Sequence, residues 1–249
     1  MRELMEIGTV ERPLKVATVR MLLGRVCIVT GASDGIGEAV VRTLALEGGA
    51  NVVLVARRIE RLEALAHQLN AREEVDAMVK QTAQRFGRVN CAGVMYYLQS
   101  SKGHTEEWSR QIDVNIHGTT NVVGFVLPLM VERKNGHILT ITSDAGRRAF
   151  PGLAVYSGTK FYLEAFISAL RQENVENGIR FTNIQPGDVA TSLAGRSSDV
   201  EARKKYDTSE AGHKILDCAD VAQSVLFCLT QPSHVAINEL LIEPQAAPI

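Results

Sequence analysis

A short apolar run, residues 25–29, leads directly into Thr30-Gly31-Ala32-Ser33-Asp34-Gly35-Ile36-Gly37, and no other feature of the 249 residues constrains the fold as strongly. After the glycines, Ile36, Val40 and Leu44 recur at helical spacing until Gly48-Gly49 stops the pattern. Strand, glycine-rich turn and helix in that order open a βαβ unit, whose parallel strands need a helical crossover. Glycine at the turn admits unusual backbone angles and lets the main chain approach a bound group closely. The helix N-terminus behind it offers unpaired N–H groups and a partial positive charge, which suits a phosphate. Such a turn would equally serve as a tight βα connection; its position between strand and helix gives it weight.

The remaining pattern repeats the theme. Residues 51–55 predict a second strand, continuous enough in apolar side chains for a sheet covered on both faces. Helices are predicted at 59–69, 73–86, 106–133, 155–177 and 217–230, with strands at 137–142, 179–185 and 239–243. The alternation predicts an α/β fold: a Rossmann-like doubly wound parallel sheet. No linker or repeat divides it, so one domain is expected over residues 21–249. Residues 1–20 are charged and predict a flexible N-terminal extension.

A net charge of -1 gives no electrostatic basis for binding nucleic acid or an anionic membrane surface. The longest apolar stretch, 122–131, is too short for a bilayer and contains Pro128, so no membrane partner is expected. Residues 1–20 lack the charged head and apolar core of a secretion signal. Cys27, Cys91, Cys218 and Cys228 lack metal-type spacing, so no metal site is expected; reduced thiols fit a cytoplasmic protein.

Two places carry chemistry. The second strand ends in Arg57-Arg58, where a carboxylate would have bound a ribose hydroxyl; guanidiniums there favour a ribose 2′-phosphate, hence NADP(H) over NAD(H), which stays possible. The plain alternative is a solvated arginine pair at the start of a helix. Further on, Tyr156 and Lys160 stand four residues apart on a predicted helix and share a face. An ammonium beside a phenol stabilises phenolate, so Tyr156 is expected to act as general acid or base. The pair alone decides nothing, since it arises by composition often enough.

With these motifs in place, the chain resembles the short-chain dehydrogenase/reductase family from about residue 21 to 244. The glycine loop matches that family's cofactor loop, and Asn90-Cys91-Ala92-Gly93 is similar to its Asn-Asn-Ala-Gly stretch with one substitution. Ser143 precedes Tyr156 by the family's 13 residues, Asn115 matches its catalytic asparagine, and Pro186-Gly187-Asp188-Val189-Ala190-Thr191 matches the segment over the nicotinamide. The resemblance implies catalytic roles for Asn115, Ser143, Tyr156 and Lys160. It implies cofactor contacts from Gly31, Ser33, Gly35, Ile36, Gly37, Asn90, Ala92, Gly93, Pro186, Gly187, Val189 and Thr191, with Tyr156 and Lys160 shared. Tyr156 would protonate a carbonyl oxygen as hydride arrives; Ser143 would steady that oxygen; Lys160 would lower the Tyr156 pKa and hold the ribose. Asn115 would hold a water linking Lys160 to solvent. Residues 192–216 would be the variable substrate loop, its charges read as a solvated surface. Met95, Tyr96 and Phe150 would line an apolar side of the pocket or belong to the core. The partners implied are a small carbonyl or alcohol substrate and further copies of the chain, as homodimer or homotetramer.

The sequence departs from the family in one stretch. A doubly wound fold needs two helices and two strands between Arg58 and the Asn90 motif, roughly 32 residues before any connection. The interval holds 32 residues, and the two predicted helices take most of them. The expectation is therefore a missing third strand and a shortened, nearly absent fourth. Either two short segments are absent from the sequence, or this is a catalytically impaired relative that binds nucleotide or a partner; survival of every catalytic position favours the former.

Overall fold

In the computed structural model, which describes residues 21–69, 86–207 and 212–247, the first apolar run is β1, Val26–Thr30. Gly35, at φ +54, turns the chain into α1, Gly35–Leu46. β2, Asn51–Val55, returns parallel to β1 and is followed by α2, Ile59–Gln68. β3, Phe86–Asn90, pairs with the other side of β1 along its whole length, from Val26 opposite Phe86 to Thr30 opposite Asn90. β4 (Gly136–Ile141), β5 (Ile179–Pro186) and β6 (Glu239–Ile242) extend the parallel sheet in the order β2-β1-β3-β4-β5-β6.

Helices cover both faces, and neighbouring strand residues show it. Leu139 and Ile184 join Val40 and Leu44 of α1 and Val221 and Val225 of α7 (Cys218–Thr230) in one core cluster. Ile138 and Phe181 point the other way, onto Val123, Val126 and Met130 of α4 (Gly118–Arg133) and Ile167 of α5 (Ala154–Glu173). α3 (Thr105–Ile112) leads into α4, and α6 (Val200–Tyr206) lies in the connection after β5. The run Thr105–Arg133 has the length and composition to cross a membrane, but here its α4 part packs on the sheet.

Two expectations change. The pattern read as a helix over 73–86 runs into a strand, because Phe86 begins β3; residues 70–85 lie outside the described residues. The central strand is not nearly absent: β3 fills the place beside β1, and Val89 and Asn90 are buried there. Its sequence, Phe-Gly-Arg-Val-Asn, is not an apolar run, and its place comes from pairing on both sides. Where the third strand was expected to be missing, the relevant residues are again outside those described. Among the described residues β2 is the edge, with Val55 43% exposed.

Strand order reverses between β1 and β3. In an open parallel sheet the crevice for a ligand lies there, beyond the carboxyl ends of the strands.

Candidate active site

Thr30 closes β1 opposite Asn90 at the end of β3, and its hydroxyl accepts N–H bonds from Cys91 (3.2 Å) and Ala92 (3.3 Å). The two glycine-containing motifs thus meet at the crevice. Contact requires glycine here: a Cβ on Gly31 would stand 3.0 Å from the Ala92 backbone, and one on Gly37 2.1 Å from the Gly31 carbonyl. Asp34 is the N-cap of α1 and makes no side-chain cap bond, its carboxylate taking only the Gly35 N–H of the first turn, which suits an anion at this helix start. Every residue expected at the cofactor, from Gly31 to Thr191, lines a single cleft of about 1590 Å³ together with Ser143, Tyr156 and Lys160. The segment after β5 lies over the glycine loop, the Thr191 side chain standing 3.5 Å from where a Gly35 Cβ would be.

At the outer end of the cleft, Arg58 donates to the Ser33 hydroxyl (3.0 Å) and reaches Asp34 (3.3 Å). Arg61 (3.6 Å) and Arg196 (3.4 Å) approach the same Asp34 carboxylate, and Ser192 donates to it at 3.2 Å. Burial would raise the Asp34 pKa; the bonds from Arg58 and Ser192 outweigh it and hold the carboxyl below its ordinary value. Arg57 lines the cleft, exposed, with no ion pair among the described residues. The donor set of Ser33, after β1, with Arg57 and Arg58, after β2, fits a ribose 2′-phosphate, and the α1 N-terminus fits a pyrophosphate.

At the inner end, Ser143 follows β4 and hydrogen-bonds with Tyr156. Its hydroxyl donates to Asp144 Oδ1 at 2.8 Å and accepts from the Ala145 N–H at 3.1 Å. Tyr156 and Lys160 lie on the first turns of α5, Lys160 Nζ sitting 5.4 Å from the Tyr156 ring centre and donating to the Ile141 carbonyl at 3.1 Å. Burial pushes the Tyr156 phenol up; the Ser143 bond opposes it and the Asp144 charge adds to it. The expected lowering of this phenol by Lys160 does not carry the balance, because both groups are buried. Burial also pushes Lys160 down, to about 8, against the pull of Glu164, Cys91 and Asp144.

Asn115 stands behind Gly93: a Cβ on that glycine would lie 3.5 Å from Asn115 Oδ1 and 4.0 Å from Lys160 Nζ. It lies in a π-helical turn, Asp113–His117, between α3 and α4, almost fully buried, and does not line the cleft. Its carboxamide accepts from the Val94 N–H (2.9 Å) and donates to the Val94 carbonyl (2.9 Å) and Thr159 Oγ1 (3.0 Å). It therefore clamps the strand exit behind Gly93 to the helix that carries Tyr156, and its side chain has no hydrogen bond to Lys160.

The segment after Gly93 divides the residues left open between pocket and core: Met95 and Phe150 line the cleft, and Tyr96 belongs to the core. Val94, Tyr96 and Leu98 pack with Trp108 and Val114 in the core, while Met95 and Tyr97 turn to the cleft with Phe150, Leu153 and Tyr156. Extended backbone alternates its side chains, so only one of the adjacent tyrosines can face in, and it is Tyr97. The inner end also carries Asp144, Asp188 and Asp207, which the sequence reading passed over. Asp199, its side chain 1% exposed, was missed too: it caps α6 through the Ala202 N–H (3.0 Å) and binds the Gln99 N–H (3.0 Å), Lys102 (2.9 Å) and His104 (3.2 Å). Its position just before a helix was the available signal.

Comparison with known proteins agrees with this layout. A family model described as short chain dehydrogenase matches residues 25–202. A glycine betaine reductase of Emericella nidulans is 46% identical over 92% of this chain, and the chain spans 19% of that protein's length. An uncharacterized oxidoreductase of Staphylococcus aureus is 35% identical, covering 90% of this chain and 99% of that one. A serine dehydrogenase solved in a closed form with NADP+ superposes with a TM-score of 0.79 at 30% identity, covering 90% of this chain and 96% of that chain.

Proposed function

We propose that this chain, which belongs to the short-chain dehydrogenase family, is an NADP(H)-dependent oxidoreductase that interconverts a small or medium carbonyl compound and its alcohol. The observation that carries the reading is the single cleft with phosphate-binding groups at one end and a Ser143–Tyr156 pair above Lys160 at the other. NADP(H), when bound, supplies or receives the hydride. Arg57, Arg58 and Ser33 would take the ribose 2′-phosphate, and the glycine loop the pyrophosphate. Tyr156 gives its proton to the substrate oxygen, Ser143 hydrogen-bonds that oxygen as charge develops, and Lys160 offsets the phenolate left behind. Asn115 positions Thr159 and Val94, and so α5 and Gly93, relative to each other.

Residues 21–249 act as one such domain in this reading, with 192–216 forming the wall over the substrate. Exposed Phe125 on α4 and Phe161 and Tyr162 on α5 support a homodimer or homotetramer built on these helices, and four free thiols support a cytoplasmic location. The test is NADPH-dependent reduction of a panel of neutral dicarbonyls by the purified chain and by Tyr156→Phe. Turnover by the parent, lost by about a thousandfold or more in the variant, is the expected result. Equal turnover by both would remove Tyr156 from the chemistry. A folded parent that binds NADPH and turns over nothing would return the reading to an impaired nucleotide-binding relative.

A further inference from the structure

We propose that Glu164 is the positioning residue for Lys160: its carboxylate, one helical turn further along α5, keeps the buried ammonium charged beneath Tyr156. This rests on the oxidoreductase reading, in which that ammonium offsets the phenolate.

Lys160 is 5% exposed, and its ammonium donates to a neutral acceptor, the Ile141 carbonyl, at 3.1 Å. A charge so placed lacks the water that would otherwise support it. Titratable groups face it from three directions among the described residues. Tyr156 and Glu164 come from its own helix, Cys91 from the segment after β3, and Asp144 from the turn after β4. The π-helical turn meets α5 through the neutral Asn115; its Asp113 and His117 are exposed and bonded to each other at 3.1 Å. Cys91 brings no charge near neutral pH, because burial pushes its thiol up to about 12. Asp144 is taken up by the Ser143 hydroxyl and the Ala145 N–H, and Asp188 acts on it in turn. Of these groups Glu164 pulls hardest toward the charged form of Lys160.

The surroundings of Glu164 show a site that uses charge rather than shape. From β5 the fully buried Asn183 donates its amide to Glu164 Oε2 at 2.6 Å. The other two oxygens of this pair, Glu164 Oε1 and Asn183 Oδ1, are both buried and both without a partner. Both are acceptors, so neither can satisfy the other. A glutamine at 164 would keep the bond from Asn183 and offer a donor to Asn183 Oδ1, so for packing alone the carboxylate is the costlier choice. A carboxylate with a buried, unbonded oxygen is favoured where an opposite charge stands near, and Lys160, four residues earlier on the same helix face, is such a charge. The two residues are also held together from outside α5. A Cβ on Gly146 would lie 3.1 Å from Glu164 Cγ and 3.2 Å from the Lys160 carbonyl, so the turn Asp144–Gly146, next to Ser143, packs on α5 at these residues.

The test follows the charge on Lys160 itself. The full chain is labelled with lysine carrying carbon-13 at Cε, and the Lys160 resonance is identified by its loss in Lys160→Met. Its pH titration is then recorded by NMR in the parent and in Glu164→Gln. The parent midpoint is expected at about 8 and that of the variant about one pH unit lower, with the alkaline fall in kcat/KM moving alongside. Glu164→Gln should hold or raise the melting temperature, since it supplies the missing donor. Glu164→Ala removes the charge together with the Asn183 bond and should lower the midpoint as well; it decides the matter if Glu164→Gln does not fold. The double variant Glu164→Gln with Asn183→Asp returns a carboxylate to the pair and should bring the midpoint back to about 8. A midpoint that stays at about 8 in a folded variant without the Glu164 charge overturns the inference and makes Glu164 a packing residue. The titration needs no turnover, so it decides on Glu164 even where no carbonyl compound is reduced; that failure belongs to the reductase reading, which the dicarbonyl panel tests separately.

Discussion

The two ends of the cleft are built on opposite electrostatic plans. At the outer end, Arg58, Arg61 and Arg196 gather around a single carboxylate, Asp34, while Arg57 makes no ion pair among the described residues, and all are at least a third exposed except Asp34 itself at 31%. At the inner end the charged and polar groups are few and deeper: Asp144, Asp188 and Asp207 with Tyr97, Tyr156 and Lys160. Exposed charges are screened by salt and share their partners, so each contributes modestly and their sum sets cofactor choice. Buried groups have no solvent to fall back on, so each sets the state of its neighbour. The outer end should therefore respond to charge changes in a graded, salt-dependent way, and the inner end through individual protonation states.

The largest effect is expected from inverting the outer end. Replacing both Arg57 and Arg58 with Glu removes two guanidiniums from a bound 2′-phosphate and opposes it with two carboxylates. NADPH affinity should fall by about a hundredfold or more, with NADH losing far less, because charged hydrogen bonds contribute roughly 1.5–3 kcal/mol each. Dissociation constants for both cofactors at low ionic strength measure it. An unchanged NADPH-to-NADH preference would mean that the 2′-phosphate does not sit here.

The inner end is examined by pH. Lys160 is held by burial at about 8, so it is charged below that value and neutral above it. Below it, the ammonium offsets the phenolate formed when Tyr156 gives up its proton; above it, that offset is lost. Reduction measured as kcat/KM should thus be level on the acid side of about 8 and fall on the alkaline side, by up to about tenfold per unit. Lys160→Met should lower the level and remove the inflection. A profile with the same inflection in that variant would assign the titration to another group.

How far the sequence reaches differs between the ends as well. The outer end is written in contiguous motifs: a strand, three glycines and an arginine pair, each fixed by local backbone needs such as the close approach of Gly37 to Gly31. The inner end is assembled by tertiary packing. Spacing singles out Tyr156 and Lys160 and a resemblance adds Ser143, but the choice of Tyr97 over Tyr96 depends on which way an extended segment faces. The π-helical turn that buries Asn115 leaves no periodic signature in Asp-Val-Asn-Ile-His. β3 was underestimated for a related reason. A helical pattern ran into it, and its five residues become a central strand because β1 and β4 pair with both its sides.

The smallest predicted effect sharpens the contrast most. Asp34 opposes a 2′-phosphate at the outer end while holding Arg58, Arg61 and Arg196 in place. Asp34→Asn removes the repulsion and frees guanidiniums, but it also loosens the tie to Ser192 and Arg196 on the segment over the cleft. Since these groups are largely exposed, the two consequences nearly offset. NADPH should bind about threefold more tightly at low salt, with the gain gone near molar salt. A larger gain that persists in salt would mean the outer end behaves as the inner end does, through a buried group, and the two plans would no longer be distinct. A loss of affinity would mean that Asp34 serves the cofactor chiefly by anchoring Arg58 and Arg196, and that the ordering of the basic cluster outweighs its net charge.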